Sequence, residues 1–77
     1  MSNTEANALL SEITEAVTTA RRRNTRPDVV MVDYRLHKKL ELALGGQSVS
    51  SVAKIPVCAV PGFRLGWQVQ SFTGGVR

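Results

Sequence analysis

The chain carries few residues that could do acid–base or nucleophilic chemistry. His37 is its only histidine and Cys58 its only cysteine. His37 lies beside Lys38 and Lys39, and no serine or cysteine is placed by sequence to act as its nucleophile. Cys58 lies within an apolar segment, which predicts a buried thiol that packs as a small hydrophobic group. These residues predict no catalytic site and favour a boundary histidine and an inert core cysteine.

Two aspartates, Asp28 and Asp33, flank an apolar run at residues 29–32. On an extended chain they are roughly 16 Å apart, which is too far for them to share one metal ion. We interpret Asp28 as a turn residue and Asp33 as the N-cap of a helix. One cysteine and one histidine cannot complete a zinc tetrahedron. We therefore expect a protein that is not an enzyme, with no metal, no cofactor and no small-molecule substrate.

The basic residues have an uneven distribution. The first twenty residues carry three acidic side chains and no basic one, whereas residues 21–39 carry seven basic side chains. A cluster of guanidinium groups suits phosphates or acidic side chains. The alternative is a solvated helix end that complements the helix dipole. The candidate residues for binding a nucleic acid or an acidic partner are Arg21, Arg22, Arg23 and Arg26.

An amphipathic helix is predicted over residues 3–23. Its apolar residues recur at three- and four-residue steps, and Ser2 with Glu5 forms a possible capping box. The apolar stripe is narrow, so it could pack on a sheet or on a second copy of the same helix. The second alternative makes a self-association surface of Leu9, Leu10, Ile13 and Val17.

The run at residues 29–32 predicts the first strand. Three of its four residues are β-branched, and an uninterrupted apolar run favours a strand buried on both faces. Asp33 then caps a second helix over residues 36–44, which Gly45 and Gly46 end.

The remaining residues predict two more strands. The serine-rich residues 47–54 suggest a mobile loop, and residues 55–60 a second strand, which Pro56 confines to an edge or an irregular start. Pro61 and Gly62 signal a turn. Alternation over residues 65–72 predicts a third strand, hairpinned to the second.

The predicted fold is therefore a small α/β (α+β) domain over residues 1–77, in the order helix, strand, helix, strand, strand. Its core spans residues 27–72 and contains a three-stranded sheet with a C-terminal hairpin, and residues 73–77 form a flexible tail. Trp67 is expected in the core, whereas Phe63 and Phe72 are candidate protein-interface residues.

Composition limits the class of protein further. The net charge is +4, and an apolar content of 43% is ordinary for a globular chain. The longest apolar runs are shorter than the roughly 20 residues that cross a bilayer. The first residues lack the basic start and apolar core of a signal peptide. We expect no membrane partner.

One segment resembles a known family. Residues 27–33 read Pro-Asp-Val-Val-Met-Val-Asp, and a short leucine-spaced helix, an Ile-Pro-Val strand at residues 55–57 and a Pro-Gly turn follow. This order over residues 26–62 resembles part of the peripheral domain of tailed-phage major capsid proteins. The chain lacks that family's long spine helix and extended arm, and Lys54 stands where the family often has glycine. The resemblance implies a small virion or capsid-associated protein and assigns no functional residue.

The function expected from these observations is non-enzymatic binding. The partner would be another protein or further copies of this chain, in a host-cell cytoplasm or a virion. The alternative is nucleic-acid binding through the four arginines of the basic cluster.

Overall fold

The computed structural model describes residues 1–71, which form a small mixed α+β fold with two helices and a four-stranded mixed sheet. The strand order across the sheet is β2-β3-β1-β4. The elements along the chain are α1 (Asn3–Arg22), β1 (Val29–Asp33), α2 (Tyr34–Ala43), β2 (Ser51–Val52), β3 (Ile55–Val60) and β4 (Trp67–Gln70).

Helix α1 begins with the capping box that the sequence indicates. The Glu5 amide donates to the Ser2 hydroxyl at 3.2 Å, and the Ser2 amide donates to the Glu5 carboxylate at 2.9 Å. These bonds satisfy two amides that the helix leaves without an internal partner. The helix ends before Asn24, which takes a left-handed conformation (φ 61°) that asparagine tolerates.

Strand β1 lies at the centre, parallel to β3 and antiparallel to β4. Helix α2 lies on the connection between the parallel pair. Asp33 caps this helix as predicted: its carboxylate accepts from the Leu36 amide at 3.4 Å and also from the Phe63 amide at 3.1 Å. One side chain therefore holds both the start of α2 and the loop between β3 and β4.

The prediction of a mobile loop over residues 47–54 is wrong. Val49 and Val52 are buried in the core, and residues 51–52 add β2 to the edge of β3. A tight turn joins the two strands, and both of its central residues, Ala53 and Lys54, have positive φ values of 51° and 70°. Such angles are typical of a type I′ hairpin. The sheet has one strand more than predicted for this reason.

The predicted C-terminal hairpin is also wrong. β4 pairs with β1 rather than with β3, so β1 lies between the two strands that were predicted to form the hairpin. The chain crosses the carboxyl end of β1 through residues 61–66. There the Asp33 amide donates to the Gly66 carbonyl at 2.7 Å and fixes the crossing.

The sheet has two different faces, because successive side chains of a strand point in opposite directions. The face that we call the covered face carries Val30 and Val32, and both helices pack on it. The register places the opposite row, Met31 with Cys58 and Gln68, on a face that neither helix covers. We call this second surface the open face; its residues are Val29, Met31, Asp33, Pro56, Cys58, Val60, Gln68 and Gln70.

The expectation that β1 is buried on both faces is therefore wrong. Val30 and Val32 are 0% and 1% exposed, whereas Val29 and Met31 are only half-buried. The β-branched run predicted a strand correctly, but the cover on each side depends on where the helices dock.

No helix among the described residues is long and apolar enough to cross a membrane. Phe72 and the predicted tail at residues 73–77 lie outside the described residues.

Candidate functional site

His37 lies half-buried on α2 and has a structural role. Its Nε2 atom lies 2.9 Å from the Val49 carbonyl oxygen and 3.5 Å from a Glu41 carboxylate oxygen. Because a carbonyl only accepts, Nε2 carries the proton and donates to it. Glu41 accepts from the Val49 amide at 2.8 Å. Together the two side chains hold both backbone groups of Val49 against α2, which is the local reason that the serine-rich segment enters the core.

Cys58 is exposed, so the prediction of a buried core thiol is wrong. It lies on β3 opposite Met31, on the open face, between Pro56 and Val60. The apolar neighbours in the sequence belong to both faces of the strand. Their presence predicted burial only under the assumption that both faces were covered.

The two aspartates stay apart, as the strand length requires. Asp33 binds the amides of α2 and the β3–β4 loop, and the Asp28 amide donates to the Gln70 carbonyl at 2.9 Å. Within residues 1–71, no group of three or more histidine, cysteine, aspartate or glutamate side chains is placed to hold a metal ion.

The arginine cluster is exposed but does not converge on one surface. The Arg21 guanidinium donates from Nη2 to the Ala53 carbonyl at 2.9 Å and braces the β2–β3 turn. Arg21 and Arg26 line one shallow concavity, Arg22 a second and Arg23 a third. Arg22, Arg23 and Arg26 therefore offer three separate charges around the end of α1.

The candidate self-association stripe on α1 packs inside the domain. Ile13 and Val17 are buried, and Leu9 and Leu10 are half-buried against the same core. The structure thus places this stripe on the chain's own sheet.

The aromatic residues are divided between the core and a loop. Trp67 is half-buried and packs against the core from β4. Phe63 is half-buried in the β3–β4 loop, where Asp33 holds its amide. Phe72, the other interface candidate, lies outside the described residues.

The open face is the largest feature that sequence reasoning missed. Its residues come from three strands, and apart from Asp33 at the carboxyl end of β1 none of them carries a charge. Cys58 and Gln68 are exposed. The side-chain amide of Gln70 donates from Nε2 to the side-chain oxygen Oε1 of Gln68 at 2.7 Å, which shows that these two side chains share the face. The alternating pattern of β4 was visible in the sequence. The pairing of β4 with β1, which brings Gln68 beside Met31 and Cys58, was not visible in the sequence.

Comparisons with known protein families, with curated proteins and with solved structures give no match.

Proposed function

We propose that this chain is a non-catalytic binding module that acts through protein–protein contacts on the open face. The observation that carries the proposal is a sheet face that neither helix covers and that, among the described residues, carries no charge apart from Asp33 at its rim. Antiparallel and mixed sheets with one wet face normally place polar residues there. Here Val29, Met31 and Val60 occupy such positions instead.

The chemistry of the face suits a protein surface. Met31 has a flexible, polarizable side chain that adapts to irregular partners. Gln68 and Gln70 supply both hydrogen-bond donors and acceptors without charge. From strand spacing and rise, the area is on the order of 300 Å². A stable interface buries about 800 Å² per partner, so this face alone supports a weak contact.

The proposal includes a setting in a phage particle or an infected host cell. Its support is the resemblance of residues 26–62 to the peripheral-domain segment of tailed-phage major capsid proteins. In that setting the partner is a virion subunit or a host protein.

Photo-crosslinking from the open face tests the proposal. A benzophenone attached to the Cys58 thiol should give one discrete crosslinked species in a lysate of the source cells. The matched control is a Cys58→Ser, Leu42→Cys chain, because Leu42 is exposed on α2, away from this face.

Binding of the captured protein to the purified domain should then fall at least about tenfold in a Met31→Glu variant that keeps its circular dichroism spectrum. Equal crosslinking from both positions, or unchanged binding by the folded Met31→Glu variant, contradicts the proposal.

Nucleic-acid binding is a second candidate function. Its support is that Arg22, Arg23 and Arg26 are exposed around the end of α1, where their guanidinium groups can reach phosphates. Binding through these arginines should weaken with salt, with a slope that falls by about one for each arginine replaced by glutamine. A chain that fails to shift DNA or RNA at low salt removes this candidate.

A further inference from the structure

The two edges of the sheet are built differently. At one edge β2 is only two residues long. At the other edge β4 reads Trp-Gln-Val-Gln, with neither a charged residue nor a proline. Edge strands are usually protected by such residues or by their shortness. Within residues 1–71, the β4 edge has only its moderate length of four residues as protection.

The register shows which backbone groups of β4 face outward. The Asp33 amide bonds to the Gly66 carbonyl, and Met31 lies opposite Gln68 and Val29 opposite Gln70. Because hydrogen-bonded residues alternate along an antiparallel pair, the even-numbered residues of β4 point towards β1. The amide and carbonyl groups of Trp67 and Val69 therefore point away from β1, outward from the free edge of the sheet.

A groove runs beside this edge, between β4 and α1, with a volume of about 560 Å³. Trp67, Val69 and Pro27 give it apolar lining. The α1 side carries Glu12 and Glu15 towards its middle and Arg23 at its end, all exposed. Small residues lie between the charges, at Ala16, Thr19 and Ala20.

We infer that β4 pairs with β4 of a second copy of this chain, antiparallel and about a two-fold axis. Such an axis, perpendicular to the sheet, reverses the direction of α1 in the second copy. The acidic residues of one helix then face the basic end of the other. Glu15 and Arg23 are equidistant in sequence from Thr19. If the two α1 helices cross at Thr19, Glu15 of each copy lies opposite Arg23 of the other, so the attractive contact forms twice. This charge complementarity identifies the occupant of the edge as a second copy.

The pairing has a consequence for the open face. Two sheets joined along β4 form one continuous sheet of twice the width, and the two open faces become one surface. That surface approaches the area that one side of a stable protein interface buries. The inference does not require the proposed function, because strand pairing and partner binding use different residues.

The oligomeric state in solution tests the pairing. Sedimentation equilibrium at about 100 µM should give twice the chain mass of 8.4 kDa, since small interfaces dissociate in the micromolar range. Val69→Pro removes an outward amide and should give a monomer, because proline is tolerated at a strand position whose amide faces solvent. Val69→Ala, which loses packing but keeps the amide, should remain dimeric.

A charge exchange tests the orientation of the two copies. Glu15→Arg and Arg23→Glu should each weaken the dimer about tenfold, because each places like charges opposite one another. An equimolar mixture of the two variants should restore the wild-type dissociation constant, since both contacts are attractive in the mixed pair. This exchange also keeps the inference testable if Val69→Pro fails to fold.

Three results would overturn the inference. The wild-type chain is monomeric at the highest concentration, the mixture of charge variants stays as weak as its components, or the dimer is lost in Met31→Glu and retained in Val69→Pro. The last result assigns the dimer to the open face and leaves the proposed function standing. Unchanged partner binding by folded Met31→Glu, with the dimer lost in Val69→Pro, would instead remove the proposed function and leave the strand pairing standing.

Discussion

Strand β1 presents apolar side chains to two different surroundings. Val30 and Val32 lie under both helices, whereas Val29 and Met31, their immediate neighbours, look out on the open face. The residue types hardly differ between the two sets. The comparison teaches that an apolar run identifies a strand, whereas the number of faces that are covered depends on helices far away in the sequence. It also separates residues that hold the fold from residues that are free to meet a partner.

The largest expected effect comes from a charge placed on the covered side. Val30→Asp buries a carboxylate without a partner, at a cost of several kcal/mol, and a domain of this size has only about 3–5 kcal/mol of stability. We expect an unfolded chain by circular dichroism. Met31→Asp, one residue away on the open face, should still fold and should unfold cooperatively at a lower temperature than the wild-type chain. A wild-type melting temperature for Val30→Asp contradicts the assignment of the faces.

The covering helix offers a second pair of identical substitutions. Leu40 is 1% exposed and Leu42 is 74% exposed, two residues apart on α2. Leu40→Ala should lower the free energy of unfolding by about 2–4 kcal/mol, through lost burial and a residual cavity, and Leu42→Ala by less than about 0.5 kcal/mol. Urea denaturation measures both values. Similar losses in the two variants would show that α2 packs differently.

Substitutions of Asp33 test how much its carboxylate stabilises the start of α2 and the β3–β4 loop. Asp33→Ala removes the acceptor of two backbone amides, at Leu36 and Phe63, and should cost about 1–2 kcal/mol of unfolding free energy. Asp33→Asn keeps an oxygen for the helix cap and should cost less. If both variants lose the same amount, the cap contributes nothing beyond its charge.

A glycine in the β2–β3 turn should stabilise the domain. Lys54 has a φ of 70°, where a side chain is strained, so Lys54→Gly should raise the free energy of unfolding by about 0.5–1 kcal/mol. Lys39→Gly, the same substitution in an exposed position of α2, should lower it by about 1 kcal/mol. Denaturation curves of the two variants should move to opposite sides of the wild-type curve.

The smallest effect is a dependence on pH at the start of α1. The bonds from the Ser2 amide and hydroxyl, together with the nearby N-terminal amine, lower the pKa of Glu5 below its ordinary 4.5. A lowered folded-state pKa means that the contribution is present above the ordinary value and is lost as the pH falls through the folded value. Glu5→Gln should abolish that part of the acid dependence, and an NMR titration of the Glu5 carboxylate should give a midpoint below 4.5.

The features that sequence reasoning predicted well are those that local contacts determine. The Ser2–Glu5 capping box sets the start of α1, and the carboxylate of Asp33 caps α2 whatever the sheet does. The apolar stripe of α1 predicted one buried side, and the structure places the sheet of the same chain against it.

The features that it missed depend on distant parts of the chain. Val49 and Val52 enter the core because α2 and α1 pack there, not because the serine-rich sequence around them favours a strand. The Pro-Gly turn signals a reversal but not its width, so the position of β4 beyond β1 could not be predicted. Exposure of Cys58 follows from the side on which the helices dock. The candidate binding surface was for these reasons invisible in the sequence.

The placement of β1 between β3 and β4 has a consequence for synthesis of the chain. A ribosome delivers β1 early, its first neighbour later, and Trp67–Gln70 last among the described strands. Until those four residues emerge, the central strand has one bare edge, and the loop that Asp33 fixes has nothing beyond it to anchor. The nascent domain therefore stays open to mispairing along this edge of β1 until the last described strand is made.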